Sequence, residues 1–248
     1  MQIAIIYLLA IVGAESVTNF IQPLWGIVFH IGILVAAILH SALSSGLTNQ
    51  HRQLVLSLAL VPLVRILSLS IPLAKIPQLW WFPIIYAPLI ASAIMAVRIL
   101  GYKVADVGVN FRLSPFQLAV GSTGFGFGVA EYFILRPEAM TDELSLPAVW
   151  LPALIFLVFV GFGEELIFRG VLQRTAAEAF GTRGIVYISF LFAMLHMGFR
   201  SWIDVVFVFG VALFLGWAVK RTGSLVGVTL SHGLTNIMLY LILPFLLS

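Results

Sequence analysis

Residues 148–178 read AVWLPALIFLVFVGFGEELIFRGVLQRTAAE. The first part, up to Gly163, carries no charged side chain; then come Glu164 and Glu165, and four residues after Glu165 comes Arg169. A run this long and this apolar belongs in lipid, where backbone N–H and C=O groups must be satisfied within the segment or in a closed barrel. The roughly ten-residue alternation of barrel strands is missing, so the run is a helix. A charged group deep in such a helix costs about 2.5–3.5 kcal/mol even on a lenient insertion scale, which marks its position as functional by default. One stretch therefore sets the fold class and points to where chemistry resides.

Outward from it the same pattern recurs. Apolar runs cover about 2–14, 20–45, 53–74, 79–98, 115–135, 184–199, 203–220 and 226–246. The 248-residue chain is 61% hydrophobic and 9% charged, with mean hydropathy +1.11, where a soluble domain carries about 25% charged residues. The expected fold is all-α: a polytopic transmembrane bundle of about eight spans around a polar intramembrane cavity. No room is left for a separate soluble domain. The run 2–14 is short for a span of about 20 residues; it lies in the interface or extends to about residue 20. It lacks a basic segment, and Ala14-Glu15-Ser16 is a poor cleavage site, so no removable signal peptide is expected. The net charge of +3 comes without a basic stripe, which argues against a nucleic-acid partner. With no cysteine, thiolate nucleophiles and Cys-ligated zinc are excluded.

The basic residues sort by loop. Arg52, then Arg98, Lys103 and Arg112, then Arg174 and Arg183, then Lys220 and Arg221 fall on one face by alternation; Lys75, Arg136 and Arg200 fall on the other. Eight against three assigns the first face to the cytoplasm. The C-terminus then lies on the far side, and the N-terminus is cytoplasmic only if the first run crosses.

Three polar clusters interrupt the apolar runs: Gly163 to Arg169, Phe192 to His196, and His232 to Asn236. Glu165 and Arg169 are four apart and meet on one helix face, whereas Glu164 is rotated by about 100°. Glu165 is then neutralised by Arg169, and Glu164 faces the bundle interior in need of another partner. Any one cluster alone reads equally as a buried ion pair, a core histidine or a polar helix clamp; two buried histidines beside paired carboxylates favour a site. Other intramembrane polar residues read as structural. Arg65 pairs or snorkels, Glu131 lies near the far-side end of its helix, and His30 and His40 are packing or interfacial. Gly124-x-Gly126-x-Gly128 serves close helix packing, and Trp80-Trp81-Phe82 fits an interfacial belt.

The inventory suits peptide-bond hydrolysis, which needs an activated water, a proton for the leaving amine and donors for the oxyanion. A glutamate and a histidine activate the water; a second histidine and an asparagine amide supply the donors. No cofactor is required. Zinc held by Glu164, His196 and His232 is the alternative; the helical His-Glu-x-x-His pattern is absent, but spacing alone leaves both open.

Glu164-Glu165-x-x-x-Arg169, Phe192-x-x-x-His196 and His232-x-x-x-Asn236 occur in the order of the CAAX-protease and bacteriocin-processing (CPBP, or Abi) family, which includes the type II CAAX prenyl endopeptidase. The region that resembles it is 147–248, with 1–146 as upstream transmembrane helices that are merely compatible. The resemblance implies that Glu164 and His196 activate water and that His232 and Asn236 form the oxyanion hole. Glu165, Arg169 and Phe192 take supporting roles. It implies an integral membrane protease of glutamate type, in the cell (inner) membrane, with its cavity open towards the cytoplasm. The family has also been described as metalloproteases. The implied partner besides lipid is a peptide or protein, prenylated at a CAAX C-terminus in some members and of unknown identity in many bacterial ones. The competing functions are a non-catalytic scaffold or bacteriocin-immunity protein of the same fold, and a proton-coupled transporter. The intact His/Asn pair weighs against the first and the lack of inverted repeats against the second.

Overall fold

The protein is described by a computed structural model over residues 2–71, 75–110 and 113–247. Arg112, counted above with the basic face, and the end of the run 53–74 lie outside the described residues. These are all helix and connecting turns, with no strand among them. Among the described residues eight helices are long and apolar enough to cross a membrane: α1 (Gln2–Phe20), α2 (Pro23–Leu43), α3 (Asn49–Ser70), α4 (Gln78–Ile99), α5 (Pro115–Leu135), α6 (Leu146–Phe180), α8 (Trp202–Thr222) and α9 (Val226–Leu246). A shorter apolar helix, α7 (Arg183–Phe199), lies between α6 and α8. Large apolar side chains such as Trp25, Phe29, Phe133 and Val206 are exposed along the outer surface, where lipid takes the place of water.

Local chemistry sets the ends. Ser114 caps α5 through Gln117 N–H, with Pro115 preorganised at the first position. Ser201 caps α8 through Asp204 N–H, and Gly223 ends that helix in the left-handed conformation at φ 63°.

Hydrogen bonds between loops show which ends share a face. Gln53 donates to the carbonyl of Leu100 (3.1 Å), Arg174 to that of Asp106 (3.2 Å), and Lys220 to the Thr182 hydroxyl (2.8 Å). Leu225 N–H reaches the carbonyl of Gly108 (2.9 Å). Tyr102 donates to Glu178 (2.5 Å), and burial followed by that bond raises the phenol's pKa. The described basic loops therefore gather at one end of the bundle. At the other end Arg200 donates to the carbonyl of Asn19 (3.1 Å), and Met140 N–H to that of Tyr240 (3.0 Å). The first run is thus a full helix that starts at the basic face, where the carbonyl of Ala4 accepts from Tyr187 (2.9 Å), and ends at the opposite one. α7 also runs from one face to the other, so α8 returns to the basic face and α9 ends opposite it.

The helix α6 is 35 residues long, about 52 Å at 1.5 Å per residue, well beyond a hydrocarbon core of about 30 Å. It winds as π-helix over Phe156–Phe162 and again over Leu166–Leu172, with one α turn, Gly163–Glu165, between them. π turns inside α-helices are concentrated at functional sites. Phe156, Leu166, Ile167 and Phe168 from this stretch are fully buried. The helix α9 wedges between α5 and α6 because glycines leave room. A Cβ at Gly124 of α5 would stand 2.2 Å from the carbonyl oxygen of Ser231, and one at Gly161 of α6 would stand 2.9 Å from that of Thr229. Gly126 between them has open space, so only part of the glycine run makes the close contact expected of it. This wedge brings His232 against the α turn carrying Glu164 and Glu165.

Candidate active site

Glu165 is fully buried and holds two partners: Arg169 Nη1 at 3.0 Å and His232 Nδ1 at 2.8 Å. The i, i+4 pair read from the sequence forms, and it extends to a second helix. The Arg169 guanidinium also lies over the Phe192 ring, 4.3 Å from its centroid, a cation–π contact in a desolvated setting. Phe192 packs edge-on to Phe168 with centroids 4.8 Å apart, so the second cluster is locked to the first by an aromatic stack.

Glu164 points elsewhere, as its 100° offset requires. One oxygen accepts a short hydrogen bond from the Tyr86 hydroxyl of α4, and the other stands 3.7 Å from His232 Nε2. His232 is therefore clamped between the adjacent carboxylates, one on each ring nitrogen. His196 sits where α7 tightens into a 3₁₀ turn, its ring 4.9 Å from that of Phe192. Its Nδ1 pairs with the carbonyl of Phe192 at 3.1 Å. A carbonyl accepts only, so Nδ1 carries the proton and Nε2 is left as an acceptor. Asn236, one turn beyond His232, donates one N–H to the His232 carbonyl at 3.1 Å and keeps the other.

A cavity of about 70 Å³ collects most of these groups: Arg169, Phe192, His196, His232 and Asn236 line it, joined by Glu131 and Tyr240. Glu164 is not among the residues that line it, but its second oxygen stands 3.7 Å from the Nε2 of His232, which does. Phe199 also lines the cavity, which places it in the half of the bundle away from the basic face. A larger cavity of about 370 Å³ lies at the basic face, lined by Asp106, Arg174, Thr182 and Lys220. Arg169 lines both.

Three groups around the site were not read as functional from the sequence. Tyr86 is an ordinary aromatic in an apolar run, and nothing local announces its bond to Glu164. Glu131, read above as an end-of-helix residue, is buried and faces the cavity; its intramembrane charge was the signal. His30, read as packing for want of an acid in its own helix, has one on the neighbouring helix. Its Nε2 is 3.0 Å from Glu15, which Arg65 holds through Nε at 2.5 Å and Nη2 at 2.8 Å. Arg65 thus pairs rather than snorkels. Among the described residues no three histidine or carboxylate groups converge as metal ligands, so the zinc set Glu164, His196 and His232 is not assembled as the side chains stand.

Residues 146–238 match the family model described as type II CAAX prenyl endopeptidase Rce1-like. The segment is Rce1-like. The match contains Glu164, Glu165, Arg169, Phe192, His196, His232 and Asn236, and it bears out the family read from the three motifs. The family that this segment resembles is one of CAAX-type membrane proteases, which act on a peptide or protein. Tyr86, Glu131 and the Glu15–His30–Arg65 cluster lie outside the matched segment. No curated protein and no solved structure matches the chain.

Proposed function

We propose that the protein is an intramembrane endopeptidase of glutamate type, cleaving a peptide bond near the C-terminus of a membrane-tethered substrate, prenylated at a CAAX-type end. The observation that carries this reading is the clamp on His232. Two adjacent carboxylates, divided between a structural arginine and a tyrosine hydroxyl, leave one Glu164 oxygen beside the imidazole. In this reading Glu164 takes a proton from water, and the acceptor nitrogen of His196 holds that water on the other side. His232, through the Nε2 that is 3.7 Å from Glu164 and not hydrogen-bonded to it, and the second N–H of Asn236 stabilise the oxyanion, in the manner of donors worth about 2.7–4 kcal/mol each in acyl transfer. Glu165 and Arg169 keep His232 and Phe192 in place. Both water protons end on the leaving nitrogen, one by way of Glu164 and one from the new carboxylic acid, so no further reactant is consumed.

The basic face is taken as cytoplasmic. A substrate then approaches through the larger cavity, and Arg169, common to both cavities, stands at the passage. The 70 Å³ site cavity holds only a few waters, each with a share of about 30 Å³, so a peptide is admitted by movement around that arginine.

The test is mass-spectrometric cleavage mapping on detergent-purified protein, with a farnesylated CAAX-type reporter peptide and its unprenylated counterpart. The wild type is expected to cleave the farnesylated peptide. Glu164→Gln is expected to bind it intact. Binding without cleavage by the wild type would instead support the non-catalytic scaffold. Cleavage is expected to survive thorough chelation; loss that is reversed by one zinc per chain would make the enzyme a metalloprotease.

A further inference from the structure

Two buried carboxylates have no use in this chemistry and form no ion pair among the described residues. Glu131 of α5 is 8% exposed and makes none of the ion pairs found among the described residues, yet its side chain lines the cavity with His196, His232 and Asn236. Asp204 of α8 is fully buried, and neither of its oxygens has a hydrogen-bond partner. It lies close enough for its charge to act on both Glu131 and Tyr240 of the cavity wall. The N-terminal turn of α8 accounts in part for Asp204, since a helix start favours an anion. Glu131 gains nothing of the kind, standing four residues before the C-terminal end of its helix. Buried acids without partners are costly, and here both face or back a polar cavity beside the proposed oxyanion donors. What the corner lacks is a compact hydrogen-bonding cation.

Resting on the protease reading, we propose that Glu131, backed by Asp204, is the subsite for the ammonium group of the fragment released by cleavage. When the C–N bond breaks, the leaving nitrogen gains the two water protons and becomes a primary ammonium. Glu131 accepts a charge-assisted hydrogen bond from it, and Asp204 adds its charge from behind. The cavity, about 70 Å³, has room beside Glu131 for an ammonium and a water or two. Glu131 thereby holds the departing amine away from the new carboxylate and disfavours the reverse reaction.

The experiment measures binding, not turnover, so it stands apart from the cleavage test. The turnover-silenced Glu164→Gln protein is titrated calorimetrically with the tripeptide Val-Leu-Leu and with its Nα-acetyl derivative. The free-amine form is expected to bind about tenfold or more tightly than the acetylated one, the worth of a hydrogen bond to a charged group. Adding Glu131→Gln is expected to reduce that preference below about twofold, and Asp204→Asn to reduce it partway. Equal binding of the two peptides with Glu131 intact overturns the proposal, and so does a preference that survives Glu131→Gln. Should the Glu131→Gln protein fail to fold, Asp204→Asn decides: an undiminished preference there also overturns it. Failure of the protease reading shows separately, as an uncleaved farnesylated reporter.

Discussion

Replacing Glu165 by Gln removes the charge from a fully buried group that holds both Arg169 and His232. Arg169 is itself 3% exposed and already has one nitrogen, Nη2, without a partner, so losing its counter-ion leaves a buried charge unpaired. Losing one partner of such a pair costs roughly 3–5 kcal/mol. At about 2–4 °C per kcal/mol for a chain of this size, the thermal midpoint in a fixed detergent is expected to fall by roughly 6–20 °C. The double variant Glu165→Gln/Arg169→Met removes both charges and is expected to recover most of the loss, because a neutral pair of similar volume is close to isoenergetic with a buried ion pair. Differential scanning fluorimetry of wild type, single and double variants, with Glu164→Gln as control, reads this directly. Glu164 has no counter-ion of its own to strand, so its variant is expected to keep the wild-type midpoint while losing cleavage. A Glu165→Gln protein as stable as wild type, or a double variant no better than the single, would refute the division of labour between the adjacent carboxylates.

Tyr86→Phe deletes the hydroxyl that fixes one oxygen of Glu164. A hydrogen bond to a charged group is worth about 1.5–3 kcal/mol, so kcat on the farnesylated reporter is expected to fall about 10- to 100-fold with KM little changed; a rise in KM alone would show that Tyr86 binds substrate instead. Topology is checked in a chain without cysteine: Arg183→Cys and Arg200→Cys are expected to react with impermeant maleimide from opposite sides, position 183 from the cytoplasm. Labelling of both from one side would mean that α7 does not cross.

What the sequence carried follows from the range of each interaction. The helical class was legible because lipid admits few alternatives for a backbone this apolar, and the Glu165–Arg169 pair because four residues along a helix is a local relation. The basic face was legible for the same kind of reason, since loop charges need only the order of the helices. The length of α1 was open because its polar residues, Glu15 and Asn19, blur the end of the run. Glu15 meets Arg65, 50 residues further along, and only that contact explains how a carboxylate is tolerated there. Tyr86 and Glu164 are 78 residues apart, and His232 and Glu165 are 67 apart. A period of 3.6 gives the face of a helix, not the neighbour that the face meets.

The same limit explains why the burial of Glu131 was not foreseen. By position it stands near a helix end, where a charge often reaches water. The register of α5 against α9 turns it inward, and that register is set by the close approach at Gly124 and Gly128. The glycines were read as packing residues and Glu131 as incidental; in the fold the first reading undoes the second. Close packing of α5 on α9 carries Glu131 to the wall that His232 and Asn236 occupy, where the next turn of α9 brings Tyr240 beside it. An acidic side chain in an apolar run is thus best weighed together with the small residues one and two turns away. They determine whether a neighbouring helix comes near enough to enclose it.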